Sequence, residues 1–232
     1  IVLARAIVRD LYEGPRAGRE LARMGMIMGL VPAIAPVLGG VLQQTLGWRS
    51  TFLATLLVSV VLTVITILKL PETIRERSKE PLSLVAILKG FGVLLGHGTY
   101  RTYAALVALA YSGLFAFISG SSFVLINLYG LDPVQFGLSF AFGVLGYITG
   151  TIIAQKLVAR LGLDGVIRLG VIALAGGGLL MTALLLTIPT SSLVVTMPMA
   201  IYAMGVGLTM PQAQAAALMP FPERAGAASS LT

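Results

Sequence analysis

A helix that crosses the hydrocarbon core of a bilayer needs about 20 consecutive apolar residues. Runs of that kind fall at 24–42, 51–70, 102–127, 134–158, 164–188 and 192–218, and they occupy most of the chain. Residues 1–8 resemble the tail of another span, and 225–232 the start of one more. The runs lack the alternation of a strand and are rich in Gly and Ala, so an all-α membrane bundle is expected rather than a barrel. Only 11% of residues are charged and 57% are hydrophobic. A soluble domain carries about 25% charged residues, so lipid is the solvent for most of this chain. The opening "IVLARAIVRD" reads as a helix end entering a charged loop, and "AGAASSLT" as a helix beginning. Together they predict an internal stretch of a longer protein, with six full spans and parts of two more.

The 16 basic residues sort by connection. Arg5, Arg9, Arg16, Arg19 and Arg23 precede the first full run; Lys69, Arg75, Arg77, Lys79, Lys89 and Arg101 lie in 69–101; Lys156, Arg160 and Arg168 flank the break near 160; Arg224 follows the last run. The alternate connections hold Arg49 alone. Cytoplasmic loops gather Lys and Arg, so the basic connections face the cytoplasm, and 43–50, 128–133 and 189–191 face outside. The net charge of +7 is therefore a topological signal and not a nucleic-acid surface, which would need a basic face on a soluble domain. Trp48, with Arg49 beside it, reads as an anchor at the outer interface.

The chain has no cysteine and one histidine, His97, in a Gly-rich "GHG". Neither a metal cluster nor a thiol nucleophile follows, and no cofactor is expected. The nine acidic residues all fall in loops or at helix ends. An intramembrane carboxylate usually marks a proton or cation path, so any proton-coupling acid is expected outside this stretch. The long connection 69–101 opens with the charged "KLPETIRERSKE" and continues as "LSLVAILKGFGVLL", too short to span and read as an amphipathic helix at the cytoplasmic interface.

The polar groups left at depth are neutral. Tyr111, Phe115, Ser119 and Ser122 recur at helical spacing along one face. Tyr202, Thr209 and Gln212 form a comparable stripe, and Tyr147 stands among Gly143, Gly146 and Gly150. Two readings stay open: a substrate cavity lined by aromatics and hydroxyls, or helix packing in which small residues permit close approach and hydroxyls bond across helices. The spacing of Gly146 and Gly150 reads as packing. "VPAIAPVLGGVL", residues 31–42, places Pro32, Pro36, Gly39 and Gly40 inside one helix, where proline costs about 3 kcal/mol relative to alanine in water.

In order along the chain, "ARAIVRDLYEG", "APVLGGVL", "GWRSTF", "LPETI", "GTIIAQKLVARLG" and "PERAGAASSL" resemble stretches of the major facilitator superfamily, within it the bicyclomycin/chloramphenicol-resistance type of drug:proton antiporter. The resemblance covers essentially the whole chain and implies an incomplete major-facilitator-type bundle. Residues 1–70 would be the end of the N-terminal half (helices four to six), 71–101 a cytoplasmic linker with the amphipathic helix, and 102–232 helices seven to ten and the start of eleven. Pro32, Ala35, Pro36, Gly39 and Gly40 resemble the antiporter signature of helix five, a tightly packed hinge holding the outer gate. Val31, where glycine is usual, and Ala35, in place of the glycine before Pro36, depart from it. Asp10 resembles the acid at the cytoplasmic end of helix four. Gly150, Lys156 and Arg160 resemble the second copy of the cytoplasmic loop motif.

The resemblance implies a monomeric exporter in the bacterial inner membrane, driven by proton re-entry. Its substrate would be an amphipathic drug or metabolite held by Tyr111, Phe115, Ser119, Tyr147, Tyr202 and Gln212, with no catalytic or metal residue. A major-facilitator importer of a sugar or other nutrient is the alternative, and the Pro-x-x-Gly-Gly helix argues against it. A membrane-embedded enzyme would need convergent reactive groups at depth, which the spans lack; a sensor would need a soluble output domain.

Overall fold

The computed structural model describes residues 7–8, 11–12, 14–70 and 91–220. Asp10, the linker 71–90 with most of its amphipathic helix, and residues 221–232 lie outside them. The chain divides into two compact units, Ile1–Pro81 and Leu82–Thr232, and every element among the described residues is helical.

In the first unit, α1 spans Gly14–Leu46 and α2 spans Arg49–Lys69. The apolar run 24–42 is only part of α1, which extends back through Arg16, Arg19 and Arg23 as a charged stem. Pro15 sits in its first turn, where the missing N–H costs nothing, and the Arg23 Nη1 bonds Glu20 at 2.8 Å one turn away. At 33 residues the helix is about 50 Å long, well beyond the ~30 Å hydrocarbon core. Gly47, at φ +81°, turns the chain into α2. The Ser50 hydroxyl closes the turn by donating to the carbonyls of Gly47 (2.7 Å) and Leu42 (3.0 Å). No residue of α2 is buried, although its apolar side chains would be driven inward in water; lipid is the environment that accepts such a helix. At its N-terminal end Arg49 stacks over Trp48 at 4.6 Å, and Phe52 meets the indole edge at 5.9 Å.

In the second unit, α3 spans Gly98–Ser122 and continues as a π-helical turn, Phe123–Leu128. α4 spans Pro133–Thr187 and α5 spans Leu193–Leu218. A straight helix of 55 residues would reach about 80 Å. α4 instead turns at Gly162, whose φ of +69° and ψ of 178° lie outside the helical region and suit glycine alone. It is therefore two spans with a corner rather than a loop between them, which accounts for the separate runs 134–158 and 164–188. Asp132 caps the first arm: its Oδ1 accepts from the N–H groups of Val134 and Gln135 at 2.8 Å, and Gln135 Oε1 accepts from the Asp132 N–H at 3.1 Å. Pro133 occupies the first helical position.

α5 is the axis of this unit. The window that qualifies it as a span is 61% buried, against 11% for α4 and 17% for α3. Gly205 and Gly207, two residues apart, point to opposite sides of the helix. A Cβ on Gly205 would lie 2.7 Å from Leu174 N and 2.8 Å from Gly170 O in the second arm of α4; one on Gly207 would overlap the Tyr147 carbonyl oxygen in the first. The arms reciprocate: Gly146 and Gly150 abut the Ala200 and Met204 carbonyls, and Gly177 abuts Tyr202 N and Pro198 O. With apolar side chains equally content in lipid, close backbone approach is what holds such helices together. Near the C-terminal end of α5, Leu94 and Tyr100, both fully buried, pack on Ala217. The segment after the linker, helical over 91–96, thus covers the end of α5.

Candidate functional site

Two polar–aromatic stripes were expected at depth, and the structure gives them different surroundings. On α3, Tyr111 and Phe115 are 44% and 53% exposed. Their rings lie 5.2 Å apart, tilted by 32°, within the centroid range of interacting aromatic pairs. Ser119 and Ser122, further along the face, are also exposed. Val107, Ala110 and Ser121, also on α3, are buried. The stripe on α5 turns inward. Thr209 is fully buried against Gly170, and its hydroxyl has no hydrogen-bond partner among the described residues. Gln212 is half-buried. The Tyr202 hydroxyl reaches α3 and donates to the Ala110 carbonyl at 3.1 Å. Tyr147 is half-buried, with its carbonyl accepting from the Thr151 hydroxyl at 3.0 Å while Gly207 abuts it.

Tyr103 and Asp164 were not foreseen together. The Tyr103 hydroxyl donates to Asp164 Oδ1 at 2.5 Å, tying the start of α3 to the corner of α4 across 61 residues of sequence. The only sequence signal was that Asp164 follows Gly162 closely. Lys156 and Arg160 are exposed on the approach to this corner. Gly150, three turns earlier, is locked against the Met204 backbone.

On α1 the helix continues through Pro32 and Pro36. Neither proline has an N–H to give, so the carbonyls of Met28 and Pro32 lose their usual donors. Pro32 and Ala35 are exposed, Pro36 is half-buried and Gly40 is buried, while the Cβ position of Gly39 meets open space among the described residues. Ala35 also borders an apolar groove of about 240 Å³ along α1, lined by Ile27, Leu30, Val31, Ile34 and Leu38. Arg16 stacks on the Tyr12 ring at 5.0 Å, at the charged end of the helix.

The family model of the Major Facilitator Superfamily matches residues 1–232. The chain belongs to the major facilitator superfamily. It is 29% identical to an uncharacterised MFS-type transporter, YdgK, of Bacillus subtilis and 29% identical to a bicyclomycin resistance protein homolog of Haemophilus influenzae, in each case over all of this chain and 58% of the relative's length. It is also 29% identical to the multidrug transporter protein MdtP of Bacillus subtilis over 60% of this chain and 24% of that protein. The chain thus spans a little over half of the two relatives it matches throughout. The superfamily is one of transporters and not of enzymes. The apolar helices and the bacterial relatives make this a multi-pass inner-membrane protein. Among the described residues four helices, Arg49–Lys69, Gly98–Leu128, Pro133–Thr187 and Leu193–Ala217, are long and apolar enough to cross, and the corner at Gly162 divides Pro133–Thr187 into two arms.

Proposed function

We propose that this major-facilitator chain is part of an exporter of drugs or small amphipathic metabolites that works by proton antiport and alternating access. Similarity over the whole of this chain to a bicyclomycin resistance protein homolog, of which it covers 58%, carries the reading; the order of the drug-antiporter motifs supports it. The two helical halves would rock about a central site. α1, with Pro32, Ala35, Pro36, Gly39 and Gly40, would form the packed hinge of the outer gate, and the basic corner with Gly150, Lys156 and Arg160 would brace the cytoplasmic side of its own half.

The Tyr111–Phe115 pair is the best-supported contact for the transported molecule. It offers aromatic faces without a charge, and Ser119 adds a hydroxyl on the same exposed face of α3. An amphipathic substrate would be held by apolar and aromatic contact rather than ion pairing. Tyr147 and Gln212, half-buried, would border the site. The coupling carboxylate would lie outside these 232 residues, because none of the nine acids falls in the interior of an apolar run. The protein would act as a monomer.

The test uses cells making the full-length transporter, loaded with a fluorescent amphipathic drug. Collapse of the proton gradient should stop export and raise internal drug, and the double variant Tyr111→Ala/Phe115→Ala should do the same for several compounds. Gradient-independent uptake, or unchanged export by the double variant, would overturn the respective part of the reading.

A further inference from the structure

We infer that Tyr202 is a positioning residue: its hydroxyl, seated in the notch left by Gly113, sets the position of α3 and hence of the Tyr111–Phe115 pair, and it does not itself touch the transported molecule. The inference rests on the reading above that this pair meets the substrate. Three observations carry it. The Tyr202 hydroxyl donates to the Ala110 carbonyl at 3.1 Å, and that carbonyl belongs to the peptide unit joined directly to Tyr111. A Cβ on Gly113 would overlap the Tyr202 hydroxyl and lie 2.6 Å from its Cζ, so only glycine leaves room for the ring there. On its other side the Tyr202 backbone rests on Gly177, whose Cβ position lies 2.8 Å from Tyr202 N.

Tyr202 therefore forms a strut from the second arm of α4, through α5, to α3. Ala110 is 2% exposed whereas Tyr111 is 44% exposed. Gly113, whose Cβ position the Tyr202 hydroxyl occupies, is two residues from both Tyr111 and Phe115, about 200° around the helix, so the strut meets α3 on the side away from the pair. A small molecule held on the aromatic pair is separated from the Tyr202 hydroxyl by the helix itself.

The experiment measures export by the full-length protein carrying Tyr202→Phe, Gly113→Ala, both, or Tyr111→Ala, each normalised to folded protein recovered in detergent. Tyr202→Phe keeps the ring and removes one hydrogen bond, so its maximal export rate should fall about three- to five-fold. The fall should be the same for every compound, with half-saturating concentrations unchanged. Gly113→Ala displaces the same hydroxyl, so the double variant should be no worse than the poorer single one. Tyr111→Ala should instead change half-saturating concentrations differently for different compounds.

A single cysteine placed by Tyr111→Cys should be shielded from a maleimide by substrate, and one placed by Tyr202→Cys should not. Substrate shielding at position 202, compound-specific effects of Tyr202→Phe, or additive losses in the double variant would overturn the inference. An unshielded Tyr111→Cys together with non-additivity of Tyr202→Phe and Gly113→Ala would overturn the aromatic-pair reading and leave the strut standing.

Discussion

Gly176, Gly177 and Gly178 are three identical residues in a row within one helix, yet only the middle one is in contact. A Cβ at Gly177 would fall 2.8 Å from Tyr202 N and 2.9 Å from the Pro198 carbonyl oxygen, while Cβ positions at Gly176 and Gly178 meet nothing within 4 Å. The atoms opposing Gly177 are backbone, so no side chain can swing aside. Alanine there must push α5 and the second arm of α4 apart by roughly half an ångström, which forfeits a quarter or more of each dispersion contact at the crossing. With ~30 atom pairs at ~0.15 kcal/mol each, the loss is about 1–2 kcal/mol. Replacing glycine by alanine also gains up to about 1 kcal/mol of helix propensity, but that gain is common to all three positions and cancels in the comparison. Thermal denaturation of the full-length protein in detergent, followed by loss of monodisperse elution, should therefore show Gly176→Ala and Gly178→Ala at or above the parent and Gly177→Ala clearly below both. Equal midpoints for the three variants would refute the assigned face of this helix.

Two further perturbations address single groups, read by the same denaturation assay. Thr209→Val replaces a buried hydroxyl with no partner among the described residues by a methyl of similar size, and should raise stability by about 1 kcal/mol; a loss would mean that the hydroxyl has an important partner. Asp132→Ala removes the capping bonds at the start of α4 and should cost about 1 kcal/mol, whereas Asp132→Asn, which still caps, should cost less than half of that.

The helices over 51–70, 102–127, 134–158, 164–188 and 192–218 were legible because about 20 apolar residues between charged or Gly/Pro-marked connections admit little else in a bilayer; the run 24–42 falls inside α1, whose apolar stretch, Leu30–Leu46, is shorter than a span. Helix ends were less legible. The charged stem of α1 reads from sequence as a connection, because Arg16, Arg19 and Arg23 do not favour lipid, yet it is helical from Gly14 on. The break near 160 was visible as a charge cluster, yet its nature as a one-residue corner at Gly162 depends on a positive φ that composition does not announce. Facing was the least legible feature. In water a polar stripe marks the outside; in a membrane the lipid and the bundle interior are both apolar, so the stripes of Tyr111 and Tyr202 looked alike. The structure separates them by what lies opposite: open space beside Tyr111 and Phe115, Gly113 and the Ala110 carbonyl beside the Tyr202 hydroxyl. The glycines behave similarly, because Gly177 differs from its neighbours only in its rotational position against α5.

The central claim is that lipid surrounds these helices and that the basic connections lie on one side of the membrane. The chain has no cysteine of its own, so single reporters at Arg19→Cys, Arg160→Cys and Thr190→Cys can be placed in the full-length protein with any other cysteines replaced. A membrane-impermeant maleimide should label Thr190→Cys in intact cells, and Arg19→Cys and Arg160→Cys only after permeabilisation. Labelling of Arg19→Cys and Thr190→Cys from the same side would contradict the topology and, with it, the transporter reading built on it.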